Sequence, residues 1–121
     1  MSIKYRFSKF PISKSNYFII DIESKEHFVL ANMRNDDWTP NKVQEIIDGI
    51  EESKTLPKEE PYEWANEDVE LNANENGVWL YDWLTHRAGE KDTEKLNSFL
   101  THSEMITFLS DFKKFVEENQ E

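Results

Sequence analysis

The sequence predicts an α+β domain: an antiparallel sheet of about five strands, made of an N-terminal meander and a C-terminal hairpin, with two helices packed mainly on one face. Three observations lead to this class. Apolar and polar residues alternate near the N-terminus, two short strands flank Asn76-Gly77, and two stretches carry apolar residues at helical spacing. With 121 residues the chain can bury a core, and we expect a single domain over residues 1–121.

The N-terminal part of the chain predicts three antiparallel strands. Residues 2–10 alternate between apolar and polar side chains, which indicates a half-buried strand. Residues 17–23 predict a second strand that is covered on both faces and central to the sheet, and residues 27–33 predict a third. Residues 11–16 supply a turn. Because the connections are too short for parallel crossovers, the strands should form a meander.

A helix is predicted to begin after Thr39 and to end near Lys54. Thr39 is a suitable N-cap, and Pro40 stands at the first helical position, where its missing N–H is harmless. Gly49 costs a helix about 1 kcal/mol relative to alanine, which close packing against the sheet would explain. The predicted apolar stripe comprises Val43, Ile46, Ile47 and Ile50.

Residues 59–84 predict a hairpin with two different faces. A two-residue turn at Asn76-Gly77 pairs Ala73 with Leu80. A register displaced by two positions leaves the faces the same, whereas a three-residue turn with a bulge does not. The core face holds Val69, Leu71, Ala73, Val78, Leu80 and Leu84, with Asp82 as an exception. The other face holds Glu70, Asn72, Asn74, Trp79, Tyr81 and Trp83.

The C-terminal part predicts a loop followed by a helix. Residues 85–98 are polar and charged and contain a glycine, which is typical of a mobile loop. Thr101 and Glu104 form a capping box at the start of the helix, and Leu100 can meet Met105 as a hydrophobic staple. The predicted buried stripe comprises Met105, Phe108, Leu109, Phe112 and Val116, widened by Ile106 and Phe115.

The net charge of −11 arises entirely in the second half of the chain. Residues 1–58 contain nine basic and nine acidic residues, whereas residues 59–121 contain five basic and sixteen acidic residues. Residues 59–86 contain eight acids and no base. An acidic surface can serve solubility alone, but such a field also repels nucleic acid and attracts basic partners. Cysteine, a signal peptide and a long apolar run are all absent, so we expect a cytoplasmic protein without a membrane partner.

Catalytic chemistry is not indicated. The three histidines are far apart, and the sequence has no thiol, Gly-rich loop or Gly-x-Ser-x-Gly elbow. Among the carboxylates, the candidates for an acid–base pair or a magnesium site are Glu67, Asp68, Glu70 and Asp82. Glu70 and Asp82 should point to opposite faces of the hairpin, which argues against a shared site. We therefore expect neither an enzyme nor a metal or cofactor site.

Protein binding is the class that remains. Aromatic side chains provide desolvated anchors, and carboxylates complement a basic surface. The alternative is that helices cover the aromatic residues as part of the core. The candidate partner-binding residues are Glu63, Trp64, Glu67, Asp68, Glu70, Asn72, Trp79, Tyr81, Asp82 and Trp83.

The hairpin VELNANENGVWLYDW and the following helix LTHSEMITFLSDFKKFVEEN resemble small bacterial immunity proteins of contact-dependent growth inhibition and other polymorphic toxin systems. The same half, roughly residues 60–118, also looks like the YacL-like family of short acidic bacterial proteins. The resemblance implies a cytoplasmic, non-enzymatic inhibitor that occludes a basic cognate toxin, such as a nuclease domain. It carries over no specific inhibitory residues. The alternative is a housekeeping adaptor or a homodimer with no toxin partner, in which the aromatic residues close the self-interface.

Overall fold

A computed structural model describes residues 3–9, 18–34 and 38–119 of the protein. Within these residues the chain forms six strands, four α-helices and one 3₁₀ helix. The strands are β1 Tyr5–Lys9, β2 Phe18–Ile22, β3 Tyr62–Ala65, β4 Val69–Asn74, β5 Gly77–Asp82 and β6 Asn97–Leu100. The helices are the 3₁₀ helix Lys25–Arg34, α1 Pro40–Ser53, α2 Trp83–Arg87, α3 Thr93–Leu96 and α4 His102–Asn119.

The α+β class is confirmed, with the strands divided between two antiparallel sheets. In the described part of the chain β1 and β2 pair only with each other. The strands β3, β4, β5 and β6 form a separate four-stranded sheet in that order. The prediction that the second strand is central to a sheet is therefore wrong. β2 is covered mainly on one side, because Phe18, Ile20 and Ile22 are buried whereas Asp21 is exposed. The predicted turn at residues 11–16 lies outside the described residues.

The predicted third strand, residues 27–33, is wrong, because this segment lies within a 3₁₀ helix. Phe28 is 50% exposed, and the buried positions recur at helical spacing rather than at every second residue. Asn32 is buried with the apolar residues, and its Nδ2 donates to Asp82 Oδ1 at 2.8 Å. This bond ties the segment to the four-stranded sheet. The buried residues of the 3₁₀ helix are Val29, Leu30, Asn32 and Met33.

Helices α1 and α4 pack against each other and against one face of the four-stranded sheet, as predicted. Trp38, just before α1, is fully buried. Its ring stacks on the ring of Trp64 of β3, with the ring centroids 5.7 Å apart. The same ring meets Phe112 of α4 edge-on at 5.5 Å, and its Nε1 donates to the Met33 carbonyl at 2.7 Å. Phe7 of β1 also contacts Phe112, at 5.2 Å, so the two-stranded sheet shares this core.

Helix α1 matches its prediction to within one residue. The Thr39 hydroxyl accepts the Lys42 N–H at 3.2 Å, and Pro40 is the first helical residue. The four predicted stripe residues are all buried. A Cβ at Gly49 would lie 2.3 Å from the Tyr62 ring of β3, so the predicted close packing of this glycine against the sheet is confirmed.

Strands β4 and β5 form the predicted hairpin with the register displaced by two positions. The turn residues are Glu75 and Asn76, and Leu71 pairs with Leu80. The displacement by two keeps the predicted faces, because side chains alternate with period two. The core assignment of Leu84 is wrong. The chain leaves the sheet after β5 and enters α2, where Leu84 is 40% exposed.

Most of residues 85–98 lie in α2, α3 and β6, contrary to the predicted loop, and only residues 88–92 connect these elements without helix or strand. Asp82 caps α2 by accepting the Thr85 N–H at 2.9 Å, and Asp92 caps α3 by accepting the Glu94 N–H at 3.0 Å. Leu96 is buried at the end of α3, and β6 then pairs with β5. Local capping and one buried leucine therefore order a segment whose composition resembles that of a loop.

Helix α4 begins at the predicted capping box. The Thr101 hydroxyl accepts the Glu104 N–H at 3.1 Å, and Glu104 Oε1 accepts the Thr101 N–H at 2.8 Å. Leu100 and Met105, the predicted staple pair, are both fully buried. The five residues of the predicted stripe are also buried, which confirms this helix.

We expect Gly49→Ala to destabilise the protein by about 1–2 kcal/mol. Overpacking against the Tyr62 ring should outweigh the gain in helix propensity of about 1 kcal/mol. In a Tyr62→Ala background the same substitution should be neutral or stabilising. Urea unfolding of the four proteins in this double-mutant cycle measures both effects. An equal loss in both backgrounds would contradict the packing explanation.

The Tyr5 hydroxyl joins β1 to α4 by donating a hydrogen bond to the Asp111 carboxylate. Burial, and then this carboxylate, raise the pKa of Tyr5. A raised folded pKa favours the neutral hydroxyl, so its contribution to stability is complete below about pH 10 and is lost as the pH rises through the folded pKa. Tyr5→Phe should therefore make the fall in unfolding free energy above about pH 10 shallower. Urea unfolding at a series of pH values measures this slope, and an unchanged slope would refute the assignment.

Candidate partner-binding surface

The four-stranded sheet has one face that lies opposite α1 and α4. On the helix-covered face Val69, Leu71 and Leu80 are fully buried. On the other side the strand residues are at least partly exposed except at the hairpin turn, where Asn74 is buried, and we call the exposed part of this side the open face. The aromatic residues of β5 therefore do not lie under a long helix. The open face consists of Glu63, Ala65, Glu70, Asn72, Trp79, Tyr81, Asn97 and Phe99.

Two cross-strand rows make up the open face. The first row runs across the sheet as Glu63, Asn72, Trp79 and Phe99. The second row runs beside it as Ala65, Glu70, Tyr81 and Asn97. Directly paired residues have Cβ atoms about 5 Å apart, so the rows form one continuous surface. In the first row the two polar residues are followed by two rings, and in the second Tyr81 lies between Glu70 and Asn97.

Trp83 joins this surface by a different route, because it is the first residue of α2 and not part of β5. Its ring meets Tyr81 at 4.7 Å with an interplanar angle of 61°. His86 completes the group: its ring lies 5.1 Å from Trp83, and its Nδ1 is 2.6 Å from the Tyr81 hydroxyl. The start of α2 therefore extends the aromatic surface past the end of β5.

Phe99 is a surface aromatic residue that sequence reasoning missed, because β6 was not predicted. It is 48% exposed, and its ring contacts Trp79 at 5.1 Å. The ring also covers Gly77, whose φ is +143°, and a Cβ at Gly77 would lie 2.5 Å from it. One signal was available. Leu100, as the staple residue, had to face the core, and alternation then turns Phe99 outward.

The structure brings six of the predicted binding residues together, namely Glu63, Glu70, Asn72, Trp79 and Tyr81 on the open face and Trp83 beside it. It does not bring the others there. Trp64 points to the opposite face and stacks on Trp38. Asp82 caps α2 and accepts a bond from Asn32. The prediction that Glu70 and Asp82 point to opposite faces is confirmed by the strand register.

Glu67 and Asp68 lie in the turn between β3 and β4. Asp68 is only 5% exposed, and its carboxylate forms an ion pair with the Arg87 guanidinium. Arg87 Nη1 also donates to the Glu67 carbonyl at 2.7 Å. Arg87 is the first base after the acidic run of residues 59–86, so the fold itself neutralises part of that run. Glu67 itself is exposed and precedes Asp68 directly in the chain.

Two depressions cross the open face. The larger, about 450 Å³, lies between β5 and the chain before β3 and is lined by Lys58, Pro61, Asn72, Asn74, Asn76 and Trp79. The smaller, about 270 Å³, is the aromatic pocket, lined by Glu70, Asn72, Trp79, Leu80, Tyr81, Trp83 and Asn97. Asn72 Nδ2 donates to Glu70 Oε2 at 3.2 Å, which orients the carboxylate beside the rings.

The open face is electrostatically one-sided. The strands β3 to β6, all within the described residues, contain no lysine or arginine. Glu63 and Glu70 supply its carboxylates, and Lys58 lies in the larger depression at its edge. The surface therefore combines low positive charge with partly exposed rings, a composition suited to a basic protein surface.

The described residues hold no group of three or more His, Asp or Glu side chains arranged for a metal ion. The histidines lie on separate elements, with His102 Nε2 2.7 Å from the Asn74 carbonyl. Among the same residues no helix has the length and hydrophobicity of a transmembrane span. Comparison of the chain with protein-family models, curated proteins and solved structures finds no match.

Removing the arginine of the Asp68 ion pair should destabilise the protein. Arg87→Ala leaves a nearly buried carboxylate without this partner, and because the arginine is itself 51% exposed we expect a loss of about 1–2 kcal/mol. Arg6→Ala is the matched control, since the Arg6–Asp21 pair spans 3.7 Å between side chains 82% and 51% exposed. Its loss should stay below about 0.5 kcal/mol. Equal losses in urea unfolding would show that the burial of Asp68 has no energetic consequence.

Proposed function

We propose that this chain is a non-enzymatic inhibitor of the immunity type, which binds a basic surface of a toxin protein through the open face. The observation that carries this proposal is the open face itself: a sheet surface opposite the helices, with partly exposed aromatic rings and strands that contain no lysine or arginine. The resemblance of residues 60–118 to immunity proteins supports the choice of a toxin as partner. A cytoplasmic location belongs to the same proposal.

Aromatic rings on a sheet are effective binding anchors. Their side chains are already held by neighbours, as Trp79 is by Phe99 and Trp83 is by Tyr81, so little conformational entropy is lost on binding. Rings that become desolvated in an interface commonly supply most of its binding energy. The strands also form a rigid platform, which favours a preorganised interface.

The carboxylates would act mainly on association rate and specificity. Glu70 lies beside Tyr81, and Glu63 lies on β3 of the same face, where both would meet lysine and arginine side chains that bind phosphate in a nuclease. Asp68, a candidate for this role in the sequence, is instead engaged with Arg87. Inhibition would be steric and electrostatic, because the bound protein would occupy the surface that the nucleic-acid substrate needs.

Self-association through the open face is the competing function, and the exposure of Phe99 and Trp83 favours it. These residues are 48% and 36% exposed, values that a dimer interface would lower. Sedimentation velocity over a wide concentration range separates the two functions. We expect a monomer whose open face stays accessible, and a concentration-dependent dimer that Phe99→Ser disrupts would support self-association instead.

The toxin proposal predicts protection of cells that depends on the open face. The probe is the protein encoded immediately upstream of this chain, expressed as an isolated C-terminal domain. It should arrest growth, and co-expression of the wild-type chain should restore it. The double variant Phe99→Ser/Trp83→Ser should bind that domain at least about 100-fold more weakly and fail to protect, since two anchor rings are lost.

Phe28→Ser is the matched control for this experiment. Phe28 is 50% exposed, like Phe99, but lies on the 3₁₀ helix and is not one of the strand residues of the open face. This variant should bind and protect like the wild type. Protection by the double variant, or an upstream domain that is harmless to cells, would refute the proposed function.

A further inference from the structure

The aromatic pocket differs in charge from the neighbouring depressions. It contains a carboxylate and no basic residue, whereas the larger depression on the open face includes Lys58. The depression beside the 3₁₀ helix includes Lys25 and Lys95 as well as three acids, and the one between Tyr81 and α3 includes Lys91 beside Glu90. Among these four depressions the aromatic pocket is therefore the one in which a bound cation would face a carboxylate and no basic side chain.

The walls of the aromatic pocket suit a cation. Trp79, Tyr81 and Trp83 border it, and the face of an aromatic ring carries negative potential that attracts ammonium and guanidinium groups. Glu70 is the strand partner of Tyr81, so the Cβ atoms of the two residues are about 5 Å apart. The Glu70 carboxylate therefore lies on the same side of the sheet as the Tyr81 ring. Asn72 holds this carboxylate by a hydrogen bond of 3.2 Å, and the remaining oxygen positions stay available to a ligand.

We propose that the aromatic pocket binds one arginine side chain presented by the basic partner. The inference rests on the proposed function, because the toxin surface would supply that arginine. Arginine fits better than lysine for two reasons. Its planar guanidinium stacks on aromatic rings and is weakly hydrated, and its paired N–H donors match a carboxylate in two-point geometry. The amides of Asn72 and Asn97 add carbonyl acceptors at the rim.

Arginine in the aromatic pocket would give the interface a specific contact in addition to the general attraction of the acidic surface. A guanidinium between Glu70 and the rings would be shielded from water by the partner. Such shielding strengthens both the charge-assisted hydrogen bonds and the contact with the rings. Glu63 offers no equivalent contact, because it lies outside the pocket on β3.

A peptide titration tests this assignment without any toxin. The probe is the capped tripeptide Gly-Arg-Gly, and its reference is the same peptide with citrulline, which keeps the shape of arginine but has no charge. Chemical shifts of the indole N–H groups of Trp79 and Trp83 report binding. The arginine peptide should bind with a Kd of about 1–10 mM, and the citrulline peptide at least about tenfold more weakly.

Two matched variants locate the contact. Glu70→Gln should weaken binding of the arginine peptide at least about fivefold, because it removes the carboxylate of the pocket. Glu63→Gln removes the same charge from the same face outside the pocket and should change the Kd less than about twofold. Far-UV circular dichroism confirms that both variants remain folded.

Three outcomes would overturn the inference: equal binding of the arginine and citrulline peptides, equal effects of the two variants, or no saturable shift up to about 50 mM peptide. The toxin experiment fails independently of these. If the arginine peptide binds as expected while the upstream domain is harmless, arginine binding by the aromatic pocket is supported and the toxin as partner is refuted. If the wild type protects cells but the peptide results are negative, the toxin assignment stands and the arginine contact falls.

Discussion

The two long helices pack on only one face of the four-stranded sheet, and the rest of the molecule depends on this one-sided packing. Tyr62 lies against Gly49, and Trp38 stacks on Trp64, so β3 is held closely to the helix layer. On β4 and β5 the apolar row facing the helices is then buried, and the opposite row is mostly accessible. The accessible rows hold the acids and aromatic rings. One-sided packing therefore places these residues together on one surface, where a partner can contact them.

A polar network at one end of the sheet accounts for acids that composition alone assigns to the surface. Asn32 links the 3₁₀ helix to Asp82, Asp82 caps α2, and Arg87 of α2 pairs with the nearly buried Asp68. A buried carboxylate needs such partners, because desolvation penalises a charge that has none. These acids stabilise the position of α2, which in turn places Trp83 beside Tyr81. The open face is therefore less acidic than the residue count for 59–86 indicates, and its carboxylates are Glu63 and Glu70.

Local signals predicted the parts of the fold that depend on local interactions. The cap at Thr39, the capping box at Thr101 and both apolar stripes were correct, because a helix end and a helix face are determined within a few residues. The hairpin faces were also correct despite a register error, since a displacement by two preserves alternation. The 3₁₀ helix was predicted as a strand because an apolar run of this length suits either structure, and β6 was missed because it is short and half polar; distant contacts decide both. One such contact is the bond from the Ser98 hydroxyl to the Glu26 carbonyl at 2.6 Å.

The sequence by itself determined the α+β class, the two long helices and the alternation that places Trp79 and Tyr81 on the side of the hairpin away from Leu71 and Leu80. These features follow from residue spacing. Only the tertiary structure decided that this side stays open, because that depends on where α1 and α4 dock, and no spacing within the hairpin encodes the docking. It also decided that Trp64 and Asp68 turn inward and that Phe99 joins the rings, since each of these placements depends on a partner far away in the sequence.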